Sequence, residues 1–319
     1  AAGVATALAL FFADWTAKAV QQFYGVPGIS VPHLTSGPGV PFAIAINWLI
    51  ERIPGLRDLK ADPETIRKKW GLFGEPVIMG LIIGLVLGFL AYGLRAPEGK
   101  TTMQVIAMIL NVGMNLAAVM LLLPRMVAIL MEGLIPVSEA AREFMQKRAA
   151  GREIYIGLDS AILIGHPAAI SAALVLVPIA ILLSIILPGN RVILFADLSV
   201  IPFMVALFAP IMKGNIVRMV IAGTIELLVG FYIATAMAPF FTQTAVDAGF
   251  AIPSGAVNIT SIADGFLWPN WLFKVLTENL GVIGLLVIVL VVAVGFMLLK
   301  TRESAMERLA GYTPEPVEE

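Results

Sequence analysis

Gly281-Val-Ile-Gly-Leu-Leu-Val-Ile-Val-Leu-Val-Val-Ala-Val-Gly-Phe-Met-Leu-Leu299 runs without a single charge until Lys300 closes it. A membrane span needs about 20 mostly apolar residues. Inside hydrocarbon no water pairs the backbone, so each N–H and C=O must be paired within the segment, and that leaves a helix. This stretch therefore reads as a transmembrane helix, and it sets the solvent for the rest of the chain.

Working outward, residues 76–94, 103–123, 172–187, 192–212 and 219–238 have the same character. The opening stretch to about Val20 supplies one more span, cut short. The composition agrees: 59% of residues are hydrophobic and 13% charged, where a soluble domain carries about 25% charged residues. The expectation is an all-α polytopic membrane protein with about seven transmembrane helices, forming one integral-membrane domain over residues 1–319. The chain starts at Ala1, inside an apolar run and with no leader pattern, so it is read as N-terminally truncated.

Several function classes fall away. The net charge is −1 and no basic, aromatic-interleaved patch occurs, which argues against nucleic acid. With no cysteine and only His33 and His166, neither a metal centre nor a thiol nucleophile is expected. No phosphate-binding glycine loop or dinucleotide fingerprint is present, so no cofactor is expected.

Two apolar stretches are broken. Residues 28–50 contain Gly28, Pro32, Gly37, Pro38, Gly39 and Pro41, and residues 154–171 contain Gly157, Gly165 and Pro167. Such density of proline and glycine prevents a straight helix. At membrane depth, irregular backbone is tolerated only where protein or a wet cavity covers it, and interrupted segments in transporters often mark the substrate site.

Basic residues set the orientation. Arg52, Arg57, Lys60, Arg67, Lys68 and Lys69 crowd the loop 51–71, and Arg125, Arg142, Lys147, Arg148 and Arg152 crowd 124–153. Lys213, Arg218, Lys300, Arg302 and Arg308 fall on the same side. The positive-inside rule places that side, with the C-terminal tail 301–319, in the cytoplasm. The span order closes only if 154–171 is re-entrant from the cytoplasmic side. Residues 137–152 read as an amphipathic helix on that surface, and the tail as frayed. The connection 239–280 is long enough for another hairpin, with Trp268 and Trp271 as interfacial anchors.

Ionisable groups inside a membrane cost about 2.5–3.5 kcal/mol each on insertion scales and are functional candidates by default. Glu75, before Pro76, either caps a helix or accepts hydrogen bonds from a hydroxylated substrate. Asp159 and His166 either bind and polarise a polyol hydroxyl or close their own hairpin. His33, with Thr35 and Ser36, lies in the first broken segment beside Pro32, much as His166 lies beside Pro167 in the second. Asn111 and Asn115 read as polar glue between helices, Asp197 as a cap, and Glu226 as a partner for Arg218.

In order along the chain, Ile29-Ser-Val-Pro-His33-Leu-Thr-Ser, Ile50-Glu-Arg-Ile-Pro-Gly-Leu56, Gly71-Leu-Phe-Gly-Glu-Pro76, Leu121-Leu-Leu-Pro-Arg125, Ile156-Gly-Leu-Asp159 through Gly165-His166, and Leu187-Pro-Gly-Asn190 resemble one family. It is the galactitol-type membrane component, enzyme IIC, of the bacterial phosphoenolpyruvate-dependent sugar phosphotransferase system. The resemblance implies an inner-membrane homodimer with a substrate-carrying core domain and a dimerisation domain. It implies a polyol substrate that is phosphorylated as it crosses, by a phosphorylated IIB protein fed by a IIA protein. It implies that His33, Thr35, Glu75, Asp159 and His166 hold the polyol, with Glu75 or Asp159 orienting or deprotonating the attacking hydroxyl. The loops 51–71 and 124–153 are then either the IIB docking surface or topology signals alone. A proton-coupled secondary transporter using Asp159, Glu75 or a histidine as relay is the competing reading.

Overall fold

A computed structural model describes residues 2–71, 75–94, 96–146, 155–194, 196–252 and 257–314. Six of the described helices are long and apolar enough to cross a membrane. They are α1 (Ala2–Tyr24), α4 (Pro76–Gly88, prolonged by a π turn over Phe89–Gly93), α5 (Thr102–Gln146), α7 (Pro167–Ile186), α10 (Ile216–Asp247) and α13 (Val282–Thr301). The shorter elements are α2 (Val40–Ile50), α3 (Pro63–Trp70), α6 (Ala161–Ile164), α8 (Ile201–Val205), α9 (Phe208–Ile211), α11 (Ile262–Gly265), α12 (Trp268–Leu280) and α14 (Glu303–Leu309).

The expected span over 192–212 crosses in pieces. Its extended start leads to a 3-10 turn, Ala196–Val200, and then α8 and α9. Pro202 and Pro210 deny it the amide donors of a continuous ladder. The chain thus has a third broken segment, and this one lies in the core: Ile201, Met204, Leu207 and Phe208 are fully buried, along with Leu176, Leu227 and Phe231 from α7 and α10.

The α4–α5 hairpin joins that core through the later turns of α5, at Val127 and Met131, and its spans are the least buried after α13. Gly80, Gly84 and Gly88 form the buried stripe of α4. A Cβ on Gly84 would sit 2.7 Å from the Cα of Gly113 and 2.8 Å from the carbonyl oxygen of Val112, so the two backbones touch. That is small-residue packing, which substitutes for the hydrophobic drive missing in lipid. Asn111 and Asn115 lie exposed on α5, and among the described residues no hydrogen bond joins them to another helix. The amphipathic helix expected over 137–152 continues α5 as far as Gln146, and its last residues lie outside those described.

Two hairpins enter from opposite ends. One comprises residues 25–50: extended chain runs in from the end of α1, turns over Gly37–Gly39 and returns as α2. The other comprises 257–280: it turns through α11 and leaves as α12. They meet tip to tip, where the Trp268 indole Nε1 donates to the carbonyl of Pro38 at 2.8 Å. Trp268 is therefore a hairpin-tip residue and not an interfacial anchor.

The tail is docked rather than frayed as far as it is described. Lys18 of α1 pairs with Glu303 and Glu307 of α14 at 3.0 and 2.7 Å. The Trp15 indole donates to the carbonyl of Met306, and Lys213 donates to the carbonyl of Gly311 and to Thr313.

Candidate functional site

The two segments that proline and glycine break are clasped to each other. Ile29–Ser30 (β1) and Ile156–Gly157 (β2) pair as parallel strands, Ile29 opposite Ile156 and Ser30 opposite Gly157. The amide of Leu158 extends the ladder to the carbonyl of Ser30 at 2.9 Å. Backbone that cannot be helical thereby satisfies its polar groups across the two segments. The clasp also fixes the side chains that follow each strand.

Those side chains are His33 and Asp159. His33 Nε2 lies 3.9 Å from Asp159 Oδ2. This is longer than a direct hydrogen bond, and it leaves a gap that a hydroxyl oxygen can bridge. On the other side of the ring, Nδ1 accepts from the backbone amide of Ser36 at 3.3 Å. The Ser36 hydroxyl lies 3.0 Å from the same nitrogen, and in the tautomer in which Nδ1 accepts from the amide, Nε2 carries the proton of the neutral ring. Nε2–H then donates and Oδ2 accepts, which suits a hydroxyl, a group that does both. The His33 ring stacks on Phe203 of α8 at 5.7 Å, and the Ser36 hydroxyl donates to the carbonyl of Phe203. Asp159 is largely exposed, while its Oδ1 accepts from the amide of Ala161 at 2.8 Å and so starts α6.

The other expected site residues fall differently. Thr35 is buried in the turn after His33, and it is Ser36 that contacts the ring. His166 does not face Asp159. Its Nδ1 caps α7 by accepting from the amide of Ala168 at 3.1 Å, and its ring lies against Phe23 and Tyr24. Glu75 precedes α4 without capping it through its side chain. No described hydrogen bond or ion pair joins it to His33 or Asp159. Asp197 does act as a cap, but of another segment: its Oδ2 accepts from the amide of Ile262 at 2.7 Å.

At the end carrying the basic loops, Arg218 does not pair with Glu226. It donates to Glu51, to Asn47 Oδ1 at 2.8 Å and to the carbonyl of Arg57 at 2.7 Å, pinning the start of the 51–71 loop to α10. A polar cavity of about 630 Å³ opens there, with Arg57, Lys60, Lys213 and Arg308 among its lining residues. Burial lowers the Lys213 ammonium below its usual range. Burial pushes the Asp62 carboxyl up, but its hydrogen bonds with Thr65 outweigh that and hold it below the usual range.

Glu226, expected as the partner of Arg218, is buried without it. It is 7% exposed, and its Oε2 is one of four buried side-chain atoms without a partner among the described residues, with Ser160 Oγ, Arg218 Nε and Thr260 Oγ1. Its place in an apolar run was the available signal.

The family described as the sugar-specific permease component of the phosphotransferase system, EIIC-GAT, matches residues 1–255. A protein of Escherichia coli (strain K12) described as a permease IIC component is 39% identical over 297 residues, 93% of this chain and 65% of its own length. The galactitol-specific EIIC component of the phosphotransferase system of that strain is 37% identical over 260 residues, 81% of this chain and 54% of its own length. The galactitol-specific component of strain O157:H7 matches to the same extent. The chain thus spans between about half and two thirds of the length of these relatives. No solved structure matches it.

Proposed function

This chain belongs to the family of sugar-specific permease components of the phosphotransferase system, and on that premise we propose that it binds a galactitol-like polyol and carries it across the membrane as a phosphorylated IIB partner phosphorylates it. With its six apolar helices it is a multi-pass protein of the inner membrane.

The observation that carries the proposal is the clasp of the two broken segments, which sets a donor, His33 Nε2, opposite an acceptor, Asp159 Oδ2, at 3.9 Å. A polyol hydroxyl between them receives one hydrogen bond and gives the other. Asp159 then serves as the carboxylate that orients or deprotonates the attacking oxygen. That oxygen bonds to the phosphorus carried by the IIB cysteine, the P–S bond breaks, and the hydroxyl proton passes to the carboxylate or to water. The product is charged and does not return. Thr35, Glu75 and His166 fit lesser roles in this reading: His166 supports α7, and Glu75 stands at the start of α4.

The basic cavity beside Arg57, Lys60 and Lys213 suits the docking of a phosphorylated IIB protein, itself supplied by IIA, and in this reading that end of the bundle and the C-terminus face the cytoplasm. The exposed apolar α4–α5 hairpin, with Asn111 and Asn115 unsheltered, suits the dimerisation domain of a homodimer, and the remaining helices form the transport core.

The test is uptake of labelled galactitol into vesicles carrying the full-length protein. Uptake that requires phosphorylated IIB and yields galactitol phosphate is the expected result. Uptake of unmodified polyol driven by a proton gradient alone would establish the competing proton-coupled reading.

A further inference from the structure

The buried carboxylate of Glu226 sits where three features converge. First, depth: Glu226 lies about 15 Å along α10 from Ile216 at the helical rise of 1.5 Å per residue, within the apolar run 219–238. Second, the tips of both hairpins close over it. Pro38 and Phe42 come from one, and Phe266, Leu267 and Trp268 from the other, around a void of about 10 Å³ that also touches Met204 and Gly230. Third, Oε2 is without a partner. A leucine at this position would bury without penalty, whereas an unpaired carboxyl in an apolar setting is unfavourable by several kcal/mol.

A Cβ on Gly39 would lie 3.0 Å from Glu226 Oε1 and 2.7 Å from the ring of Phe208, and one on Gly230 would fall on the ring of Phe266. The first tip thus lays its bare backbone at Gly39 against the side chains of Phe208 and Glu226, and the Phe266 ring of the second seats on the bare backbone of Gly230. Separating the tips uncovers the carboxylate. Just beyond Pro38 and Leu267, which line both spaces, lies a larger cavity of about 160 Å³ bounded by α1, Leu34 and Asn270. Leu34, the residue after His33, is part of its lining.

We propose that Glu226 is a second hydroxyl-binding residue of the transport path, taking a polyol hydroxyl inside the bundle when the tips of the 25–50 and 257–280 hairpins part. The substrate leaves the His33–Asp159 pair, enters the adjoining chamber, and gives a hydrogen bond to Oε2, the acceptor that is idle while the tips are closed. Trp268 and Phe42 supply apolar faces for the C–H edges of the same ligand. This rests on the polyol-permease reading above.

The experiment uses the full-length protein in vesicles with phosphorylated IIB and labelled galactitol. Glu226→Gln is expected to lower uptake at least tenfold and Glu226→Leu to abolish it, both proteins remaining monodisperse in detergent. Uptake by Glu226→Leu within twofold of the unsubstituted protein would overturn the proposal. If neither variant folds, carbodiimide labelling of Glu226 in the unsubstituted protein, read by peptide mass, decides: protection by galactitol supports the site, and an unchanged labelling rate overturns it. If the unsubstituted protein neither binds nor transports any of a panel of hexitols, the permease reading itself fails, and the assignment of Glu226 falls with it.

Discussion

His33 Nε2 and Asp159 Oδ2 face each other at 3.9 Å although they belong to different broken segments. The parallel pairing of Ile29–Ser30 with Ile156–Gly157 brings them together. Asp159→Asn keeps the Oδ1 acceptor that starts α6 and removes only the charge facing His33. It is expected to leave the melting temperature unchanged and to lower galactitol uptake by about tenfold or more, the worth of a hydrogen bond to a charged group. His33→Ala is expected to do at least as much. Uptake at the unsubstituted level in both variants would remove the pair from the site.

His166 serves α7. Replacing it by alanine deletes the acceptor for the amide of Ala168 and is expected to cost about 1 kcal/mol of stability, the usual value of an N-cap. Asparagine, a good capping residue, is expected to restore most of it. Thermal unfolding in detergent measures this, and the substrate concentration for half-maximal uptake is expected to be unchanged in the asparagine variant.

Gly84 holds α4 against α5. Leucine there meets the backbone of Val112 and Gly113, and overpacking of this kind costs about 1–3 kcal/mol. The expected result for Gly84→Leu is a lowered melting temperature and, if the hairpin carries the homodimer contact, a shift towards monomer in light scattering.

Arg218 ties the basic loop to α10 through Glu51, Asn47 and the carbonyl of Arg57. Arg218→Met is expected to free the loop, seen as faster tryptic cleavage after Arg52, Arg57 and Lys60. Cleavage is expected in inside-out vesicles and not in right-side-out ones. The reverse pattern would invert the topology read from the basic residues.

Both members of the candidate pair were visible before any tertiary structure. His33 and Asp159 were both marked, because ionisable groups in apolar, proline-broken segments are rare. Their partnership was not, since the sequence grouped Asp159 with His166 of its own segment. Asp159 instead turns to a neighbour from the other segment, while His166 bends back to the amide of Ala168 at its own helix start. Arg218 and Glu226 show the same pattern. They share a helix, yet Arg218 reaches the loop after α2, and Glu226 faces the tips of two hairpins.

By itself the sequence determined the solvent and the element types. Uncharged runs as long as 281–299 exist only to cross lipid, and lipid leaves them no structure but the helix. The density of proline and glycine likewise determined where helices break, except that residues 192–212 hid their breaks among apolar neighbours. Only the tertiary structure decided which broken pieces meet. A hairpin tip satisfies its backbone against whatever segment lies opposite, as Pro38 does against Trp268 and Ser30 against Leu158. That choice depends on depth and packing between segments remote in the chain, and local periodicity carries no record of either.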